Sequence, residues 1–443
     1  MGKKAFALML LLFGVIGIPA VAAAQDRGSD SGLREFVFNM NLGVGLAGYE
    51  DAGGTHRAYQ KFSFLPEFSI GRFGAGLDLT FELDGDFRLR DLDGDGRADG
   101  WSSVSDYVYK IAYIRYGNPG EPLYVRAGKY DSYTLGHGLI MGDFSNTLFF
   151  PQVRQLGMNY RLDGRIFDFP YLGLEGVVDD LLDWDIIGTR LYAKPFAGRG
   201  GPVLEGLELG ASIVTDLDSQ EVYNPAHPDY ADQGAPRDNP SSEPVTEIGI
   251  DIEVPVIVRH TTQLTAYADW ALILNRGTGG LVGADFTYRW FTVTGQLRFL
   301  GPQFVATYFG PFYEAERAQK PGVLDANDTF SLGYLVGTKM NIFDTVKFRF
   351  TFSDDAGGDA GPVISTGLFT VEGAFGKLDA GVRYDKKDIQ SFSDLTNGED
   401  TFLELLLGYR ISQAARIVLT YQRAYSPAGE YRDRTFCETR FSF

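Results

Sequence analysis

A single cysteine, Cys437, stands in a chain of 443 residues, so no internal disulfide can form. A chain of this size must then draw its stability from elsewhere, and a closed ladder of backbone hydrogen bonds can supply it. Positive charge is also scarce. Lys and Arg number 40 against 58 Asp and Glu, and the formal net charge of −18 argues against nucleic acid or an acidic membrane surface as partner. Beyond the N-terminus no apolar run reaches the roughly 18 residues of a helical membrane span. Glycine and aromatics are abundant instead, with 55 Gly, 34 Phe and 24 Tyr. That composition suits many strands with an aromatic-rich outer surface.

The N-terminus has the three parts of a secretory signal. Lys3 and Lys4 precede an apolar stretch from Ala5 to Ile18, Pro19 breaks it, and Ala22-Ala23-Ala24 offers small residues to a signal peptidase. Cleavage is expected before Gln25, giving a signal peptide at 1–24 and a single unit at 25–443. No cysteine follows the cleavage point, so lipid attachment there is not expected.

From Phe36 to the last residue the dominant pattern has a period of two. Phe36, Phe38, Met40, Leu42, Val44 and Leu46 alternate with Val37, Asn39, Asn41, Gly43, Gly45 and Ala47. Phe73, Ala75, Leu77, Leu79, Phe81 and Leu83 alternate with Arg72, Gly74, Gly76, Asp78, Thr80 and Glu82. Similar segments run from Glu247 to Val254, from Val346 to Phe352 and from Leu403 to Arg410. Each is about ten residues, enough for a tilted strand to cross a bilayer.

A soluble sandwich would alternate too, and the connections separate the two cases. Links around Gly71, Trp290-Phe291, Asn341–Phe343, Gly373–Lys377 and Ser412-Gln413 are tight. Those at Asp84–Ser102, Asp131–Pro151, Asp216–Glu243, Gly301–Asp328 and Lys386–Asp400 are long and polar. Short turns at one end and long loops at the other describe a membrane barrel. The expectation is an all-β fold: one transmembrane, antiparallel, up-and-down β-barrel with an even strand number, about 20 (range 16–20). Arg161–Pro195 is the hardest segment to divide. An even number places both ends of the mature chain on the periplasmic side.

The last strand carries a more specific signal. Thr435, Cys437, Thr439, Phe441 and Phe443 form one face; Arg434, Glu438, Arg440 and Ser442 form the other. A terminal Phe with a second aromatic two residues earlier resembles the signal read by the outer-membrane barrel assembly machinery. The mature chain therefore resembles bacterial outer-membrane β-barrel proteins of the porin-like class. The resemblance implies residence in the bacterial outer membrane, with its lipid and the assembly machinery as partners, and leaves oligomeric state open.

Several motifs need weighing. Gly43-Val44-Gly45-Leu46-Ala47-Gly48 fits G-x-G-x-x-G, but that fingerprint requires a helix after the last glycine. Here the glycines lie in an alternating strand, and small residues leaving room in the lumen are the better account. Asp91, Asp93, Asp95, Arg97 (through its carbonyl) and Asp99 have calcium-loop spacing, with Gly96 at the turn. Ser102 replaces the bidentate Glu at position twelve, so a Ca2+ site of modest affinity in an outer loop is expected. A solvated acidic loop tip is the plain alternative. The stretch Tyr133–Gly142, continued by Phe144, is unusually apolar for an outer loop. Leu135, His137, Ile140 and Phe144 are candidates for a constriction loop folded into the lumen; packing outside the membrane is the competing account. His137, Ser145 and Asn146 share residue types with outer-membrane phospholipase, but only 4 His are present and nothing else supports catalysis.

Charged residues fall on one parity of the strands. Arg126, Arg161, Arg190, Arg298, Lys347 and Arg349, with Glu208 and Asp251, are candidates to line a pore. On the lipid face near mid-membrane each Arg or Lys would cost about 2–4 kcal/mol. For any one of them a lumen ion pair without a transport role is the default. The leading expectation is a porin-like, non-enzymatic channel for passive or facilitated diffusion of small polar solutes. Its alternatives are a transporter of apolar molecules through a loop-lined pocket, and a surface binding protein or adhesin anchored by the barrel.

Overall fold

The computed structural model describes residues 36–50, 55–91, 98–222, 243–356, 361–398, 400–425 and 431–443. The signal segment and Asp93, Asp95 and Arg97 of the calcium loop lie outside these residues. A closed antiparallel barrel of 20 strands results. In chain order the strands are β1 (Phe36–Glu50), β2 (His56–Ile70), β3 (Phe73–Leu77 with Leu79–Leu83), β4 (Ile111–Tyr116), β5 (Leu123–Gly128), β6 (Gly157–Asp163) and β7 (Leu172–Val178). Then follow β8 (Ile186–Ala193), β9 (Glu208–Asp216), β10 (Val245–Arg259), β11 (Thr262–Ile273), β12 (Thr278–Tyr288), β13 (Phe291–Leu300) and β14 (Ser331–Ile342). The circuit ends with β15 (Val346–Ala356), β16 (Val363–Thr370), β17 (Leu378–Lys386), β18 (Thr401–Arg410), β19 (Ala415–Tyr425) and β20 (Tyr431–Ser442). The two parts of β3 both pair with β2 and break at Asp78, so they count as one crossing.

Each strand pairs with its sequence neighbour, and β1 pairs with β20 from Asn41–Ser442 to Tyr49–Arg434. The terminal Phe443 adds to this seam by exchanging two backbone hydrogen bonds with Met40, at 3.1 and 2.9 Å. Closure leaves no edge strand, which satisfies the backbone without disulfides. The glycines of the false dinucleotide motif belong to the seam as well. No helix follows Gly48, because β1 continues to Glu50. A Cβ at Gly45 would lie 2.0 Å from the Cys437 carbonyl oxygen, so glycine is required there for close approach of the closing strand rather than for room in the lumen.

The parity expected from the sequence holds. Leu209, Ile213, Ile248, Ile250, Ile252, Val282, Leu297 and Leu332 are exposed on the outside. Glu208, Asp216, Glu247, Gln296 and Arg298, on the opposite parity, are buried within the barrel. An exposed apolar exterior around a charged interior inverts the pattern of a protein folded in water, and a hydrocarbon surround accounts for it. The short links lie at one rim: 71–72, 260–261, 289–290, 343–345 and 411–414. The long ones lie at the other: 84–110, 129–156, 217–244, 301–330 and 387–400. The ambiguous stretch after Arg161 resolves into β6, a 3-10 turn at Gly164–Phe167, β7 and β8.

Candidate functional site: a lumen crossed by two outer loops

The loop 129–156 folds inward as a distorted hairpin. Tyr133 and Phe144 exchange backbone hydrogen bonds of 2.7 and 2.9 Å, and the Leu135 amide donates to Met141. Two left-handed glycines, Gly136 and Gly138, turn the chain at its tip. Leu135, Ile140 and Phe144 are buried, so three of the four constriction-loop candidates join one apolar cluster.

Much of that cluster comes from a second loop, 301–330, whose inward fold was not anticipated. Thr307 and Phe309 donate backbone hydrogen bonds to Leu139 and Ile140, at 2.6 and 3.2 Å, and Gly142 donates to Phe309 at 3.2 Å. Phe304, Tyr308, Phe309 and Tyr313 are buried beside Leu139, Met141 and Phe144. The Phe309 and Tyr313 rings lie 4.9 Å apart, within the range of favourable aromatic pairing. The signal was present in the sequence: five aromatics fall between Phe304 and Tyr313, too many for a loop exposed to water.

The two loops reach both sides of the barrel. On one side they pack against Val177, Ile186, Val214, Val245, Tyr267 and Leu300. On the other, Leu148, Phe149, Val153, Phe312 and Ala315 pack against Phe402 and Ala424. Polar anchors fix the register of this packing. His137, the fourth constriction candidate, sits between two wall carboxylates, with Nδ1 2.7 Å from Asp269 and Nε2 3.1 Å from Glu253, and its ring stacks on Tyr267 at 4.0 Å. Burial pulls the imidazole pKa down, but the two carboxylates outweigh it and hold it at about 10. Arg349 donates to Asp143 and Ser132 at 2.6 Å each. Arg434 donates to the Phe149 carbonyl at 3.0 Å.

Arg317 is the most buried of these anchors, at 1 % exposure. It donates to Asp216 at 2.6 and 2.8 Å and to Glu221 at 2.7 Å, and lies 3.1 Å from Asp185. Tyr313 adds a hydrogen bond to Asp216 at 2.5 Å. Asp183, Asp185 and Glu221 bring carboxylate oxygens close enough for a metal ion, but Arg317 already provides the counter-charge to two of them. Nearby, burial lifts Glu314 to about 8, although the Leu148 amide and other donors favour its charged form.

Of the predicted pore-lining residues, the structure brings together Arg190, Glu208 and Asp251. Arg190 lies 2.7 Å from Glu208, 2.6 Å from Asp251 and 3.1 Å from Glu175, the ion-pair arrangement taken as the default. Arg349 holds the loop. Arg298 is buried and donates to Gln296 at 3.0 and 3.2 Å. Arg161 lies over Tyr192, Arg126 lies over Tyr113 and donates to the Lys129 carbonyl, and Lys347 stands exposed near the short-turn rim.

The hydrolase-like trio does not assemble. His137 is held by carboxylates, Ser145 bonds to Thr147 at 3.0 Å, and Asn146 bridges the Tyr130 amide and the Asp179 carbonyl. Of the calcium-loop residues that are described, Asp99 turns toward Arg90, 3.1 Å away.

No protein-family model matches the chain, and no curated protein is similar to it in sequence. Among solved structures it is similar to OprD of Pseudomonas aeruginosa, at 9 % identity over 95 % of this chain and 99 % of that one, with a TM-score of 0.34. For OpdK (OccK1) of the same organism the identity is 12 %, over 93 % and 100 % of the chains, with a TM-score of 0.39. For OpdL of the same organism it is 7 %, over 92 % and 99 %, with a TM-score of 0.35. The barrel assignment rests on this chain's own strand pairing.

Proposed function

We propose that the protein is an outer-membrane channel for small polar solutes, with its lumen narrowed toward the long-loop rim by the loops 129–156 and 301–330. The observation that carries this reading is a closed barrel with an apolar exterior and charged interior, into which two loops fold instead of standing outside. Bilayer lipid would surround the exposed apolar belt, and the assembly machinery would read the last strand. Polar wall groups orient the passing solute, while the loops limit its size. No step of chemistry is asked of the protein.

One observation favours a second reading. The loops pack against each other and against opposite walls, so a filled outer lumen could serve as a rigid base for a surface binding protein. Planar-bilayer recording separates the two. The wild-type barrel should conduct, and deletion of Leu135–Met141 should raise conductance while leaving the barrel heat-resistant on gels. If neither protein conducts although both fold, the channel reading fails and the surface-binding reading stands.

A further inference from the structure

A cavity separate from the aromatic cluster lies between the outer end of β3, residues 89–90 and 99–110 that follow it, and the last part of the loop 129–156. Glu82, Arg90, Asp99, Trp101, Lys110 and Arg154 are among the residues that line it. Trp101 is fixed as a platform: its ring stacks on Phe81 at 4.4 Å, and its indole N–H donates to the Thr80 carbonyl at 3.2 Å.

The charges around this cavity are unevenly paired. Arg90 meets Glu82 at 2.8 Å and Asp99 at 3.1 Å. Arg154 and Lys129 share Asp78, at 3.1 and 3.4 Å. Lys110, 3 % exposed, is different. Its ammonium lies 3.9 Å from the centre of the Trp101 ring, and among the described residues it has no carboxylate within ion-pair distance. The nearby Asp106 caps its own short helix through Oδ2, which accepts from the amides of Ser102 and Ser103 at 2.8 Å each, and no ion pair joins it to Lys110. Gly100, in the left-handed region at φ 66°, turns the chain beside the ammonium.

A buried cation without an ion-pair partner is costly, and here it faces a cavity bounded by two further guanidinium groups and by the Glu82 and Asp99 carboxylates that pair with Arg90. We propose that this cavity binds one small oxyanion group, a carboxylate or phosphate, whose oxygens accept from Lys110 with Arg90 and Arg154 alongside. Burial and the neighbouring Arg154 pull the Lys110 pKa down to about 7, which is the cost an anion would relieve. The site stands whether or not the lumen conducts.

The test is calorimetric titration of the purified, folded barrel with acetate, phosphate and chloride. Wild type should bind acetate or phosphate in preference to chloride, and the preferred one identifies the chemical source. Lys110→Met should weaken binding roughly tenfold to a hundredfold, the worth of a charged hydrogen bond, while Lys377→Met, which removes a distant exposed charge, should leave it unchanged. A second measurement avoids variants: acetate or phosphate should slow acylation of Lys110 by an amine reagent, but not of Lys377, when each is followed by mass spectrometry. Chloride binding as well as the oxyanions, affinity unaffected by Lys110→Met, or unaltered Lys110 acylation would each overturn the proposal.

Discussion

The lumen has two regions of opposite character. Toward the long-loop rim, inward positions such as Val177, Val214 and Leu300 are buried beneath Phe144, Phe309 and Tyr313. Toward the short-turn rim, Asn39, Gln263, Lys339 and Lys347, also among strand residues, are exposed. The same wall serves both. What differs is whether a loop folds back over it, and that depends on the apolar content of the loop. The outer region is ordered by packing superimposed on the strand ladder, and the inner region by the ladder alone. Disturbing the packing should therefore change the outer region and spare the barrel.

The largest expected effect comes from Phe309, which is fully buried between the two loops. Phe309→Ala should cost the packed loops roughly 3–5 kcal/mol. Hydrogen exchange should accelerate in 129–156 and 301–330 but not in β10–β14, and conductance should rise. Acceleration throughout the strands would mean that the two regions unfold as one.

Raising the pH should loosen the outer region in two stages. Glu314 has a raised pKa, so its folded state holds a proton that the unfolded chain releases, and stability falls between about 4.5 and about 8. His137 contributes fully below its ordinary value of 6.5 and loses that contribution as pH rises toward about 10. Conductance measured across this range should increase with pH. Glu314→Gln should flatten the lower stage and His137→Gln the upper. A pH profile unchanged in both variants would detach these groups from the loop packing.

In the inner region effects should be small in stability and visible in selectivity. Lys347→Glu should alter stability by no more than about 0.5 kcal/mol while shifting ion selectivity toward cations. In a Cys437→Ser background, cysteine at position 347 should react with a water-borne thiol reagent and cysteine at 348 should not. Equal labelling would break the assigned register.

The smallest effect is expected at 91–99. If the spacing of Asp91, Asp93, Asp95 and Asp99 holds calcium, the ion should slow tryptic cleavage at Arg97 without altering the heat resistance of the barrel. Cleavage indifferent to calcium would leave the segment an acidic loop tip.

Alternation and link lengths made the barrel legible, because a strand's side chains must change faces at every residue whatever lies beyond it. Lipid on one face and polar groups on the other then write themselves into parity, as at Ile248, Ile250 and Ile252 against Glu247, Gly249 and Asp251. The inward fold of 129–156 was one of two readings that Leu135, Ile140 and Phe144 allowed, since exposed apolar residues in a loop need a dry place to go, in the lumen or against neighbours outside the membrane. Its partner, the loop 301–330, was missed although Phe304, Tyr308, Phe309, Phe312 and Tyr313 announce the same need. The pairings that fix the site were not legible at all. Sequence alone determined that the chain closes into a barrel with charge inside. Only the tertiary structure decided that Arg317 would neutralise Asp216 and Glu221, that His137 would bridge Asp269 and Glu253, and that Lys110 would be left facing a cavity. Closure is dictated by a local repeat, whereas ion pairing depends on which distant residues a curved wall and two folded loops bring within about 4 Å.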